Sequence, residues 1–479
     1  MVKSMKGLSQ STRGMLGLLL ALCFSFSGCA LQAVVENAPT LDKQGRVSLY
    51  LQPLPQEMHS LTFIIEKIAV VAKDGTKTSL ATSPIAIKGR EFVGVQKLLT
   101  AKILDPGNYQ GILILLSEAT MTGEKGEMNL RVADQPLLVS QEFSILPNKD
   151  FALFLTLFPE NLITDKVRFS PVFSLGVPRR QTSNFTGFVS QAATHTVAVF
   201  NKRTMEVFRL LSPGTTPQGM ALDDYNGRLY VALAGDDAVA VIDVDTLEIV
   251  GRIKLFFGDR PMELALTGNG DTLIAANHGS RTISIIETSS LYEKQRVQLN
   301  SEPTWMVTSK TGRQVYILQA MDNSVAIIDL KSGGFLTSLA LDESPEQGAL
   351  SRDGNHLIVI GKRSNDLLVI DLQQLKVVDK IFIGSGAVAM TVDSRNNLGY
   401  IGKHSGEIVI VDVAAQMFLD SFTVSGDAEY LALDSEESTL FILSADHKLI
   451  HKVNRVSKQR IGSMETAGGG HTLVIMGER

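Results

Sequence analysis

The chain has 479 residues, 45 Lys and Arg against 50 Asp and Glu for a net charge of −5, 20% charged and 6% aromatic residues, and two cysteines. This is the composition of an ordinary folded protein with room for two domains. It excludes a nucleic-acid partner, because beyond Arg179-Arg180 no basic cluster offers phosphates a footprint, and it excludes a disulfide framework.

In chain order, Lys3, Lys6 and Arg13 precede the apolar run Met15–Phe26 and small residues follow it, which is the order of a signal peptide. The run is too short to span a bilayer. Phe26-Ser27-Gly28-Cys29 resembles the lipobox of bacterial lipoproteins. The resemblance implies cleavage before Cys29, a diacylglyceryl group on its sulfur, and two or three acyl chains (palmitate among them) that together anchor stably where one would not. Cys23 would leave with the signal, so the mature chain would hold no free thiol and would carry a charge of −8. Ala30 stands in place of the Asp that, in that family, retains lipoproteins in the inner membrane, which favours the outer membrane. The expected layout is a signal over 1–28 and a lipidated tether over 29–35.

Residues 36–178 predict strands at 46–51, 61–72, 109–116, 127–132 and 151–158, with turns at Lys73-Asp74-Gly75-Thr76 and Asp105-Pro106-Gly107-Asn108. No long helical period competes, so a β-sandwich-like domain is expected. Val47-x-Leu49-x-Leu51, Ile65-Glu-Lys-Ile-Ala-Val-Val71, Asp74-Gly-Thr76 and Leu104-x-Pro-Gly-x-Tyr109 resemble a bacterial lipoprotein module catalogued as domain of unknown function 4382. The chain departs from it at Gln52-Pro53-Leu54-Pro55, where that family shows Asp-Ala-Pro, and the resemblance implies no activity. Residues 179–183 read as a linker.

From 184 to 479 one phrase repeats. Units open at Pro217, Pro261, Pro303, Pro345, Ala387 and Ala428, and each reads as four short strands, the sequence signature of a propeller blade. Turns between first and second strands carry Asn226-Gly227, Asn269-Gly270, Thr311-Gly312, Asp353-Gly354 and Asn396-Asn397, residues that tolerate positive φ. After each third strand stands a short polar acceptor, Asn201, Asp243, Glu287, Asp329, Asp371, Asp412 or Asn454, expected to cap a turn. A partial unit over 187–211 lacks its first strand, and 471–476 (HTLVIM) supplies it from the far end. The expectation is an all-β chain: a β-sandwich-like domain, then a seven-bladed β-propeller closed by the C-terminal strand.

TLIAANHGSRTISIIE and RLYVALAGDDAVAVIDVDTLEIVGRI resemble the YVTN-type propeller repeats of bacterial and archaeal surface proteins. The resemblance covers 184–479; it is specific for fold and carries little about function. The Asn of that pattern is lost in LGYIGKHSGEIVIVD and LFILSADHKLIHKVN.

Chemistry is sparse. No Gly-x-Ser-x-Gly, His-Glu-x-x-His, Walker, EF-hand or Cys-x-x-Cys-His pattern occurs, and Gly384-x-Gly386-x-x-Ala389 reads as a loop between strands. His278 and His404 fall at equivalent positions of distant units and His447 and His451 have no sequence partner, so no metal ligand is assigned. The opening strand is expected nearest the axis. Its fifth position is small (Ala221, Ala265, Val307, Ala349, Thr391, Ala432), while its third varies freely: Gly219, Glu263, Trp305, Gln347, Ala389, Tyr430. A core position does not mix charge, amide and aromatic, so Glu263, Trp305, Gln347 and Tyr430 are the candidate ligand-binding residues. The competing reading, which is the favoured one, is that they plug the channel and bond to water.

The function expected is a lipid-anchored binding or scaffold platform outside the cytoplasm, without cofactor, meeting the membrane through its lipid and a protein or surface polymer through its loops. Asp236, Asp237, Arg281, Asp322, Asn323, Lys362, Arg363, Asp366, Lys403 and Glu407 are the loop residues suited to that. Two alternatives compete. A lactonase-like hydrolase with a channel metal needs several convergent carboxylates, and the axial column offers only Glu263; an outer-membrane assembly factor would use exposed strand edges.

Overall fold

The computed structural model describes residues 43–123, 126–165, 167–177, 185–393 and 395–477. The signal, Cys29 and the 179–183 linker lie outside them. From Thr186 to Ile475 the chain forms seven four-stranded antiparallel sheets in succession. A representative sheet meanders through Pro217–Asp223, Arg228–Leu233, Ala238–Asp243 and Glu248–Lys254. Its middle strands RLYVAL and AVAVID are buried nearly throughout, and its outer strand EIVGRIK is mostly exposed. The middle strands are apolar without alternation because neighbouring sheets cover both their faces. The innermost strand of each sheet lies against that of the next. Tyr430–Asp434 in turn touches Gly470–Ile475, which touches Pro217–Asp223, so the inner strands form a closed cycle, the arrangement of a β-propeller.

Turn chemistry explains the register. Gly227, Gly270, Gly312 and Gly354 sit at φ between +62° and +75°, and Asn397 at +58°. The acceptor column caps as expected: Asp329 Oδ1 accepts from the Ser332 amide at 2.7 Å, Asp371 Oδ1 from Gln373 and Gln374 at 2.8 and 2.7 Å, and Asn454 Oδ1 from Val456 and Ser457 at 3.0 and 2.9 Å. A second capping column escaped the sequence reading. At the end of the inner strand, Asp223, Ser309, Ser351, Asp393 and Asp434 each take a backbone amide of the following turn.

Closure pairs the two ends of this half. Gly470–Ile475 runs antiparallel to Thr186–Gln191, with Phe188 opposite Val474 and Val189 opposite Leu473. A buried ion pair fastens the seam. Lys202, 1% exposed, places Nζ 2.8 Å from Asp434 Oδ2 in the neighbouring sheet and donates at 2.8 Å to the Met476 carbonyl just past the closing strand. Arg455 repeats the device one sheet earlier, binding Asp393 from the same register position. Both cations follow a capping Asn, Asn201 or Asn454, and both meet an Asp ending the preceding inner strand.

Residues 45–176 form two large sheets and a two-stranded ribbon, Ile163–Thr164 with Arg168–Phe169, over one shared core that includes Val47, Leu49, Phe63, Ile65, Ile112, Leu153 and Phe169. One sheet holds Gly45–Leu51, Lys97–Leu104, Asp150–Phe158 and Val172–Gly176; the other is built on Leu61–Ala72 and the long Gly107–Gly123. Sequence reasoning missed Lys97–Leu104 and Leu137–Ile145, whose polar and charged residues blur the strand pattern. It also did not foresee that Gly45–Leu51 pairs parallel to Asp150–Phe158, because strand direction leaves no local trace in composition. The first sheet packs on the outer strands of the propeller. Gln96, buried, exchanges two hydrogen bonds with the Val207 backbone at 2.8 and 3.2 Å. Tyr50, Ala152 and Phe154 join the core of the closing sheet.

Removing one partner of a buried pair leaves the other charge uncompensated, which costs about 3–5 kcal/mol. Lys202→Ala is expected to lower the urea-unfolding free energy of the propeller by about that amount, and Lys202→Met with Asp434→Asn to recover much of it; equal midpoints for wild type and the single variant would show the pair to be incidental.

Candidate functional site

Each inner strand enters from the loop that joins one sheet to the next. Its first residues therefore line the axis on the same face as the loops between second and third strands. There the structure brings Glu263, Trp305, Gln347 and Tyr430 into one cavity of about 320 Å³, with Thr304, Glu346, Lys362, Val388, Glu429, His404, Gly470 and His471. All four side chains singled out from sequence line it.

Their polar atoms are also engaged with neighbouring sheets. Trp305 Nε1 donates to the Gly348 carbonyl at 2.8 Å, and Gln347 Oε1 accepts from the Met390 amide at 2.9 Å. The Trp305 and Tyr430 rings meet with centroids 6.2 Å apart and planes tilted by 54°. Glu263 Oε1 lies 3.1 Å from His471 Nε2 on the closing strand. The inner strand between those two contributes Gly219, and a Cβ there would stand 2.6 Å from the Met262 carbonyl and 2.8 Å from Glu263 Oε2. Gly219 is thus set by close packing, whereas the other members of its column are free to carry large groups.

Sequence reasoning missed the second column. The residue just before four of the six varied positions, namely Thr304, Glu346, Val388 and Glu429, also faces the cavity, and His471 is its counterpart on the closing strand. The bulge between the first and third residues of several inner strands turns two consecutive side chains toward one side, which strict alternation forbids. The signal was present in the mixed composition of that position. The expectation that the axis holds only one carboxylate is accordingly corrected to three: Glu263, Glu346 and Glu429.

Behind Glu429 lies an acidic group. One carboxylate oxygen each of Asp427, Glu429 and Asp446 lie within 4.8 Å of one another. Asp427 is buried, with Oδ1 held by the Ser444 hydroxyl and Oδ2 unpartnered. Desolvation and then the Asp427 carboxylate push the Glu429 carboxyl up to about 7, while hydrogen bonds hold Asp427 below the usual range. Divalent cations take hard oxygen donors, and among the described residues these three carboxylates are the group that could supply part of such a set together.

Other candidates separate. His404 lines the cavity, His451 is buried and bonds the Ser425 carbonyl at 2.8 Å, and His447 is exposed with Nδ1 3.7 Å from Asp427. Gly384 and Gly386 occupy a loop at φ +77° and +87° between two strands and open no helix. Several loop residues expected to face partners instead staple loops: Asp237 accepts from Gly258 and Arg260 amides, Asp236 binds Thr215 and Arg252, and Lys403 pairs with Glu407 at 2.8 Å. A larger cavity, about 660 Å³, lies among the hairpins of Asp223–Tyr225 and Thr267–Gly270. Its acids are committed, Asp223 to Asn226 and Asp224 to the Gly477 amide, so the axial cavity is the stronger site.

The raised Glu429 pKa fixes the sign of a pH effect. Between about pH 4.5 and 7 the unfolded chain has lost this proton and the folded chain keeps it, so stability falls as pH rises through that window. Glu429→Gln is expected to melt near wild type at about pH 4.5 and above it at about pH 8. A difference independent of pH would contradict the Asp427–Glu429 coupling.

Residues 200–397 match the YNCE-like beta-propeller family. Among solved structures, the chain is similar to the Kuenenia stuttgartiensis hydrazine synthase, at 17% identity over 60% of this chain and 94% of that one with a TM-score of 0.48. It is similar to the dihydro-heme d1 dehydrogenase NirN in complex with DHE at 15% identity, over 63% and 77%, with a TM-score of 0.50. A functionally unknown protein from Desulfotomaculum acetoxidans DSM 771 is similar at 12% identity, over 60% and 98%, with a TM-score of 0.54. No curated protein matches. The family match, with the NirN and Desulfotomaculum likenesses, places the chain in the β-propeller fold.

Proposed function

We propose that the protein is a lipid-anchored binding protein of the cell envelope, a seven-bladed propeller carried behind a β-sandwich-like domain on acylated Cys29, with the axial cavity as its ligand site. The observation that carries the reading is the convergence of Glu263, Trp305, Gln347 and Tyr430, from four separate sheets, on one cavity. Two aromatic rings give apolar contact area, and carboxylates beside Lys362 and two imidazoles give polar anchors, the mixture of a site that orients a small polar ligand or one protruding side chain. The inter-sheet bonds of Trp305 and Gln347 hold both side chains in place before a ligand arrives, which lowers the cost of ordering them on binding. The seven sheets supply the rigid frame.

Trp305 is the chain's single tryptophan, so its emission reports on the cavity alone. Crosslinking in intact cells followed by recovery of the protein is expected to yield a partner with wild type and roughly tenfold less with Trp305→Ala, a contact of about 1.4 kcal/mol, provided the variant melts cooperatively. Equal recovery would assign the aromatic pair to plugging the channel. Labelled palmitate on Cys29, absent in Cys29→Ser, tests the anchor separately.

A further inference from the structure

The loop from the outer strand Glu248–Lys254 to the inner strand Pro261–Leu266 projects two adjacent aromatic side chains into solvent. Phe257 is 101% exposed and Phe256 64%. Hydrogen bonds to buried and half-buried carboxylates fasten the loop in this form. Asp259, buried, accepts from the Phe256 amide at 2.7 Å and is clamped by both Arg296 Nη atoms at 2.6 and 2.8 Å. Asp237 holds the Gly258 and Arg260 amides at 2.8 Å each, with Gly258 at φ +85° and Arg260 at +48°. The Arg296 guanidinium lies over the Phe256 ring at 4.0 Å, and the Gly279 amide donates to the Asp259 carbonyl at 2.8 Å, tying the next loop alongside. The whole scaffold presents Phe257 to the outside.

Three cations beside it face solvent. Lys254, Arg260 and Arg281 are exposed, and none is ion-paired among the described residues: the Asp237 carboxylate is held by the Gly258 and Arg260 amides and Asp259 by Arg296. These unpaired cations sit on a chain of net negative charge. An aromatic ring ringed by cations matches the boundary of an anionic bilayer, where rings settle among the headgroups and each Lys or Arg meets lipid phosphate.

We infer that the Phe256–Arg260 loop is a membrane contact: Phe257 inserts among the headgroups of an anionic phospholipid surface while Lys254, Arg260 and Arg281 engage the phosphates. The inference rests on the lipid-anchor reading for its proximity, because the fourteen residue-to-residue steps from Cys29 to Lys43 reach at most about 50 Å. The acyl chains supply affinity and the loop supplies orientation. Glu263 follows Arg260 by three residues, so the cavity opens on the face that the loop turns toward the bilayer.

The test moves the tryptophan. Full-length protein carrying Trp305→Phe and Phe257→Trp is mixed with phosphatidylglycerol vesicles containing brominated lipid. Emission is expected to shift to the blue and to be quenched, far less so with phosphatidylcholine. Arg260→Gln and Arg281→Gln in that background should each raise the lipid concentration for half-quenching roughly fivefold at low salt. Emission that stays at the water-exposed wavelength, unquenched in both vesicles, overturns the proposal. Palmitate labelling of the same preparation separates the two readings: an unlabelled Cys29 with quenching intact removes only the tether, and a labelled Cys29 without quenching removes only the loop contact.

Discussion

The pairing of Gly470–Ile475 with Thr186–Gln191, which sets Gly187 opposite Ile475, 288 positions apart in sequence, is the constraint on which the propeller depends. An open stack of sheets would end in two unpaired edges and an uncovered apolar face. Here the last strand becomes the inner strand of the first sheet, and every sheet has a neighbour on both sides. Lys202 adds specificity to the seam. Its ammonium is fully buried and needs both the Asp434 carboxylate and the Met476 carbonyl, so a strand shifted in register would strand a charge in the core.

Closure also builds the site. His471 reaches Glu263 only because the closing strand occupies the inner position, and Gly219 leaves the gap through which they meet. The cavity is therefore a property of the cycle and of no single repeat. The same face carries the stapled Phe257 loop and the Asp427–Glu429–Asp446 group. Where repeats are near-copies, function concentrates in positions at which the copies disagree, and the third position of the inner strand is one of them.

Much of this was legible in the residues. Near-regular spacing of Pro217, Pro261, Pro303 and Pro345 marks the units, and Gly227, Gly270 and Gly354 mark their hairpins, because propeller sheets reuse one turn geometry. The closing strand showed itself as a missing piece at one end and a spare at the other. The four axial side chains were found for a physical reason, since a core column cannot mix Glu, Trp and Gln. What stayed hidden depends on departures from strict alternation and on contacts distant in sequence. A bulge brings Glu346 beside Gln347, and Glu429, just ahead of its strand, lines the same cavity as Tyr430. The parallel pairing of Gly45–Leu51 with Asp150–Phe158 has no turn signal to announce it, and the staples of Asp237 and Asp259 join loops of successive repeats.

The central claim is that the chain's last strand completes the first sheet and holds the cycle shut. Hydrogen exchange on the Thr196–Asn201 and Thr186–Gln191 amides, in the full chain and in a chain ending at Gly470, tests it directly. The account predicts that these amides exchange only with global unfolding in the full chain and lose most of their protection in the shortened one. Equal protection in both chains would contradict it.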